Sequence, residues 1–310
     1  MPRIFITGGS GFIGSVVIEQ AIAQGHQVYA ISRTEAGDKK LEAKGAIPVR
    51  GDLKSYDVLQ EQSAQADIVL HLADAFLGDH SLPYSEVIRL DKAAVDAIAA
   101  GLEGSNKPLV TTSGVLVVES TGDVTTEESP LAKKPLNDRI ISEQYTLKLS
   151  EKGIRVSAIR LAPFVYGRGG SGVFLFLKAF LGAKELNYVN GGTTKTTAVN
   201  VEDAAALYLL AAEKANAGEV FNAASNIVTF HEFFEAMSTI TDLPIKSLTS
   251  EEATSKYGPF LGRFLALDCQ ASGAKAKSQL GWDPKGTGLL DEIKTGSYVA
   301  VAEKLKNPAA

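Results

Sequence analysis

The chain has 310 residues, a formal net charge of −5 with acidic and basic residues interspersed, 45% hydrophobic and 22% charged residues. That is the composition of an ordinary globular protein, and no basic stripe is present to neutralise a nucleic-acid backbone. One cysteine, Cys269, excludes an intrachain disulfide; with no apolar run long enough for a secretory signal or a membrane span, the expected location is cytoplasmic.

In chain order, short apolar runs alternate with amphipathic stretches. Strands are expected at Arg3–Thr7, Gln27–Ile31, Ile47–Arg50, Asp67–Leu72, Pro108–Thr112 and Arg155–Leu161. Helices are expected at Phe12–Gln24, from about Tyr84 to Ala100 and from about Leu136 to Glu151. Strands apolar on both faces and separated by helices call for a parallel sheet covered on both sides. The expected fold is therefore α/β, a doubly wound (Rossmann) sheet with ligands at the carboxyl ends of its strands. Beyond Leu161 glycines cluster at 167, 169, 170 and 172, and helices at Glu202–Lys214 and Phe230–Thr241 mix with short strands. The chain thus divides into a dinucleotide-binding domain over 1–165, rejoined by 198–221, and a smaller interleaved lobe over 166–310. The stripe Phe230, Phe233, Phe234, Met237 has helical spacing and reads as core.

Thr7-Gly8-Gly9-Ser10-Gly11-Phe12-Ile13-Gly14 joins the first strand to the first helix. Gly8 allows the tight turn, Gly11 lets backbone approach a diphosphate, Gly14 lets helix and strand pack closely, and the helix's first N–H groups face the ligand. Its place inside a βαβ unit makes this a dinucleotide loop rather than a glycine-rich turn. At the end of the second strand, NAD-selective sites carry an acid for the ribose 2′-hydroxyl. Here the residues are Ser32-Arg33-Thr34, and an arginine fork suits a 2′-phosphate, so NADP(H) is expected over NAD(H).

These motifs, with Gly51-Asp52-Leu53, His71-Leu72-Ala73, Thr111-Thr112-Ser113, Ile159-Arg160-Leu161, Val165-Tyr166-Gly167, Val201-Glu202-Asp203-Ala204 and Leu280-Gly281-Trp282-Asp283-Pro284, resemble the extended short-chain dehydrogenase/reductases, the NAD-dependent epimerase/dehydratase group. The resemblance implies adenine contacts from Asp52 and Leu53, a close pass of Leu72, Ala73 and Thr112 by the cofactor, and a substrate-oxygen hydrogen bond from Ser113. It also implies a tyrosine acid/base with a lysine four residues on, and there the pattern breaks: the helix start places Pro135 and Arg139 at those positions. Arg139 keeps a positive charge beside the ribose, whereas Pro135 has no proton to give. Tyr145 lies ten residues beyond Pro135, about 15 Å along a helix, and is expected on the outer helix face.

A reductase still needs a donor near the carbonyl oxygen. The candidates are Ser113, Tyr166, the group Asp74, His80 and Tyr84 after the fourth strand, and a water held by Ser113 and Arg139. A cleft lined by Asp74–Tyr84, Ser113, Tyr166 and a Phe174–Phe180 lid would be largely apolar. The sequence thus points to an NADPH-dependent reductase of a small apolar carbonyl compound, working as a monomer or homodimer without nucleic acid, membrane or metal. A binding protein that senses NADP(H) without turnover, and an epimerase or dehydratase, are the alternatives.

Overall fold

A computed structural model describes residues 1–75 and 82–307. The first half runs β1 (Arg3–Thr7), α1 (Phe12–Ala23), β2 (Gln27–Ser32), α2 (Glu35–Glu42), β3 (Ile47–Arg50), α3 (Tyr56–Gln65), β4 (Ile68–His71), α4 (Tyr84–Leu102), β5 (Pro108–Gly114), α5 (Arg139–Leu147) and β6 (Arg155–Leu161). The second runs β7 (Phe164–Tyr166), α6 (Ser171–Ala183), β8 (Leu186–Val189), β9 (Lys195–Asn200), α7 (Val201–Lys214), β10 (Glu219–Ala223), β11 (Asn226–Thr229), α8 (Phe230–Thr241), β12 (Ile245–Leu248), α9 (Ser250–Ala266), α10 (Leu289–Thr295) and α11 (Ser297–Lys306).

β1 to β6 and β10 form one parallel sheet in the order β10-β6-β5-β4-β1-β2-β3. The order reverses between β1 and β4, where a doubly wound sheet opens a crevice at its carboxyl ends. Ile4, Ile6, Val69, Leu70, Leu109 and Val110 have no solvent exposure, as both-sided burial demands. The chain returns to this sheet after the first half. α7 packs against α1, and β10, which holds Val220–Asn222, extends the sheet beyond β6. Ala276, Leu280 and Trp282 bury themselves in the same core, and the Trp282 indole N–H donates to Asp203 O at 2.8 Å.

A second core is built on aromatic rings: Phe164, Phe180, Phe230, Phe233 and Phe234 are fully buried, with Met237 beside them. Phe164 meets Phe176, Phe230 and Phe264 edge-on at 5.3, 6.4 and 5.8 Å between ring centres, a favourable arrangement of ring quadrupoles. No helix among the described residues is long and apolar enough to cross a membrane.

The helix expected over Leu136–Glu151 is shorter. It starts at Arg139, where Asn137 Oδ1 accepts the Arg139 N–H at 3.2 Å, and after Leu147 it tightens into 3₁₀ turns ending at Gly153, φ 70°.

Candidate active site

The β1–α1 turn is built for close backbone approach. Gly8 has φ 76°, and a side chain there would meet Ala73 N at 2.7 Å, while a Cβ on Gly14 would strike Gly8 O at 2.2 Å. Gly11 N–H donates to Gly8 O at 3.0 Å, closing the turn. Among the described residues no side chain caps α1 and no acid occupies its first turn, which leaves the N–H groups around Phe12 and Ile13 open to an anionic ligand. These residues fit a dinucleotide diphosphate. The turn is braced from β4: Leu72 N–H donates to Thr7 O, Ala73 N–H to Thr7 Oγ1 at 3.2 Å, and Thr7 Oγ1 shares a 2.8 Å hydrogen bond with His71 Nδ1. Burial, aided by the Arg139 charge, lowers the His71 pKa to about 4, so this histidine is a neutral structural partner.

At the end of β2 the Ser32 hydroxyl is buried and donates to Thr34 O at 3.1 Å. Arg33 is exposed and makes no hydrogen bond or ion pair among the described residues, whereas Arg50 beside it is bound to Asp38. Asp52 closes its own turn through Ser55 and the Lys54 N–H, and Leu53 leans on the core between β1 and α3.

Farther along the strand ends, Thr112 Oγ1 donates to His71 O and pairs with Tyr208 Oη at 2.8 Å. Arg139 reaches across from α5, ion-paired with Asp74 and donating to Thr112 O at 3.1 Å. Burial opposes the Arg139 charge, but Asp74, Tyr84 and Asp91 together raise its pKa above the usual value. Asp91, on α4, is driven the other way: burial and the Asp74 charge lift its carboxyl to about 6.

Beside Arg139 lies a cavity of about 340 Å³. Its walls come from the end of β5 and the 3₁₀ turn after it (Gly114–Val117), the end of β6 and the residues after it (Leu161–Pro163), Phe176 of α6, and Phe260, Leu261 and Phe264 of α9. Leu136, Asn137 and Arg139 close the side toward α5. α9 reaches this position because it breaks at Gly258 (φ 82°) and Pro259, and Arg263 then fastens its second half to the carbonyls of Lys134 and Pro135.

The candidate donors separate. Tyr166 is removed from the set: it has no exposure, its hydroxyl donates to Thr287 O at 2.8 Å and accepts from Asn226, and burial pushes its phenol far above the usual range. The end of β7 points this ring into the second core, away from the cavity. Ser113 is one residue from the wall, yet its Oγ is sealed from solvent and has no partner among the described residues. Tyr145 donates to Asp96 on α4 with Lys92 over its ring, on the outer surface. Of the lid segment, Phe176 lines the cavity. Phe76, Leu77 and His80 lie outside the described residues. Two wall elements are not singled out by the sequence. α9 is hidden because Phe260-Leu261 and Phe264 have the spacing of any buried helix face, the Gly258-Pro259 break being the one local signal. Asn137 is hidden because it reads as a loop residue before a helix.

A family model for the NAD-dependent epimerase/dehydratase family matches residues 4–224. Uncharacterized protein C2A9.02 of Schizosaccharomyces pombe is 36% identical over 96% of this chain and 99% of its own length. The 4-hydroxy-2-methyl-3-oxo-4-farnesyl-3,4-dihydroquinoline-1-oxide ketoreductase of Stigmatella aurantiaca is 28% identical over 71% of this chain and 67% of its own. Among solved structures, the UDP-glucose-4-epimerase of Stenotrophomonas maltophila with bound NAD and formylated UDP-arabinopyranose superposes with a TM-score of 0.77, covering all of both chains at 15% identity. The glycine turn at the switch point, the returning β10 and these matches agree, and the chain belongs to the NAD-dependent epimerase/dehydratase family.

Proposed function

We propose that the protein is an NADPH-dependent reductase of a small, largely apolar carbonyl compound. The observation that carries this reading is the cavity, walled among the described residues by three phenylalanines, by leucine, valine and proline, and by two polar side chains, Asn137 and Arg139. Among those residues the one cation, Arg139, is already held by Asp74, which disfavours a nucleotide-sugar diphosphate. The ketoreductase relative, whose named substrate carries a farnesyl chain, supports the same chemistry.

When bound, a reduced nicotinamide supplies the hydride. The chain's own residues bind and orient: the Gly8–Gly14 turn takes the diphosphate, Asp52 and Leu53 flank the adenine, and Leu72, Ala73 and Thr112 border the path between. Arg139 sets a positive charge at the ribose, and the aromatic wall orients the carbonyl compound.

Arg33 supports a preference for NADP(H), because an exposed guanidinium without a partner among the described residues is available to a 2′-phosphate. Arg33→Asp is expected to weaken NADPH binding about 10- to 100-fold, the worth of a charge-assisted hydrogen bond, and to change NADH binding little. Calorimetry with both nucleotides checks this, and equal losses would sink it. The function itself is tested by following NADPH consumption against apolar aldehydes and ketones. One observation favours a second reading, a sensor that binds NADP(H) without turnover: no tyrosine is among the residues lining the cavity. Tight binding with no consumption of any carbonyl compound would establish it.

A further inference from the structure

We propose that Asn137 is the catalytic hydrogen-bond donor that holds the substrate's carbonyl oxygen; this rests on the carbonyl-reductase reading above. The argument is one of elimination among the groups that face the cavity. Among the fourteen described residues that line it, glycine, alanine, valine, leucine, proline and phenylalanine supply no side-chain donor, which leaves Arg139 and Asn137 within that set. The Arg139 guanidinium is held toward the ends of β4 and β5 by Asp74 and Thr112 O. Ser113 Oγ lies sealed behind the wall.

Asn137 has one end fixed and one end free. Its Oδ1 accepts the Arg139 backbone N–H at 3.2 Å, doing the capping that Asp138 at the helix boundary does not do. A carboxamide whose oxygen is anchored has its plane set, and the Nδ2 hydrogens are then its remaining function. Nδ2 has no acceptor among the described residues. A fixed donor against apolar walls is worth more than one in open water, and it needs no reorganisation as charge develops.

The step balances as follows. The carbonyl carbon gains a hydride with its electron pair from the reduced nicotinamide, which is thereby oxidised. The carbon–oxygen π pair moves onto oxygen, where the Asn137 amide stabilises it, and solvent entering past the exposed Phe260 at the cavity wall gives the proton. Asn137 itself loses none.

The test compares two probes of one shape, acetophenone and α-methylstyrene, in which a CH₂ replaces the oxygen. Both are titrated by calorimetry into the full-length protein saturated with NADP⁺, so that no turnover occurs. The wild type is expected to bind the ketone about 10-fold more tightly, as one satisfied hydrogen bond provides. Asn137→Asp keeps the helix-capping oxygen and removes the donor; Asn137→Ala removes the donor without adding charge. Both are expected to abolish the preference with an unchanged unfolding temperature in Asn137→Asp, and kcat for any reduced ketone should fall about 10²- to 10³-fold. Persistence of the ketone preference in both variants overturns the proposal. A wild type that binds the two probes equally, or neither, overturns the carbonyl reading itself and Asn137's role with it.

Discussion

Around the carboxyl ends of β4 and β5, Asp74, Asp91, Tyr84 and Arg139 share one partly dry volume, and their charges cannot all be satisfied at once. Burial and then the Asp74 charge raise the Asp91 pKa to about 6 against an ordinary 3.8, and the Ala75 N–H on its Oδ1 at 3.4 Å offsets part of that. A native pKa above the unfolded one means that the folded chain holds a proton the unfolded chain has released. Its contribution to stability is therefore full below pH 3.8 and lost as the pH rises through about 6. Asp91→Asn is expected to be more stable than the wild type above pH 6, by up to about 3 kcal/mol at ~1.4 kcal/mol per pKa unit, and the gap should close toward pH 4. Urea unfolding across that range checks this; a gap independent of pH would mean the carboxyl does not titrate there. At this scale the sequence is informative wherever a residue acts through its backbone. Gly8, Gly11 and Gly14 are legible because their role is the absence of a side chain. Asn137 and Tyr166 are not, because each role depends on where a hydrogen bond is spent, on Arg139 N–H in one case and on Thr287 O in the other.

Among the elements, α5 shows how the site is held. Glu143 projects from it into the sheet and receives both arms of Arg160 from β6, at 2.9 and 2.7 Å, with both side chains almost wholly buried. The same guanidinium donates to Glu127 O, so the segment before α5 is tied in as well. Glu143→Ala should cost about 3–5 kcal/mol in urea unfolding, because it strands a buried charge, whereas replacing both partners with leucine should cost much less. Similar losses in the two variants would show that packing rather than charge pins the helix. β1 and β6 occupy the spans that the alternation of apolar runs implies, since a strand buried on both faces writes its length directly in the sequence; β3, an uncovered edge strand, has its expected span as well. α3 leaves no such mark: it buries only Leu59 and Ser63, too narrow a stripe to show a period. α9 leaves a misleading one, since its break at Gly258-Pro259 resembles a helix end and in the fold redirects a helix over the cavity.

On the scale of the whole molecule, the two cores are not independent bodies. The first is completed by α7, β10 and the turn carrying Trp282, all from the second half of the chain. Thermal unfolding is accordingly expected as one transition, with the fluorescence of Trp282, the single tryptophan, coincident with circular dichroism; two separated steps would contradict the shared core. Ala276–Trp282 joins the first core from near the end of the chain without a local mark in the sequence, because nothing local distinguishes a segment that travels back across the molecule. The halves also touch at the dinucleotide turn. Arg168, held at φ 49°, grips Glu19 on α1 and Glu202 on α7, and the Phe12 ring lies where a Cβ on Gly170 would approach it to 2.6 Å. Gly170 is the residue from which α6 springs, and α6 carries Phe176 into the cavity wall. A ring of the β1–α1 turn thus doubles as the bearing surface of the helix that carries Phe176 into the cavity wall. Were a phosphate to seat at that turn, as proposed, any shift of Phe12 would be handed, with no intervening side chain, to the far end of the cavity.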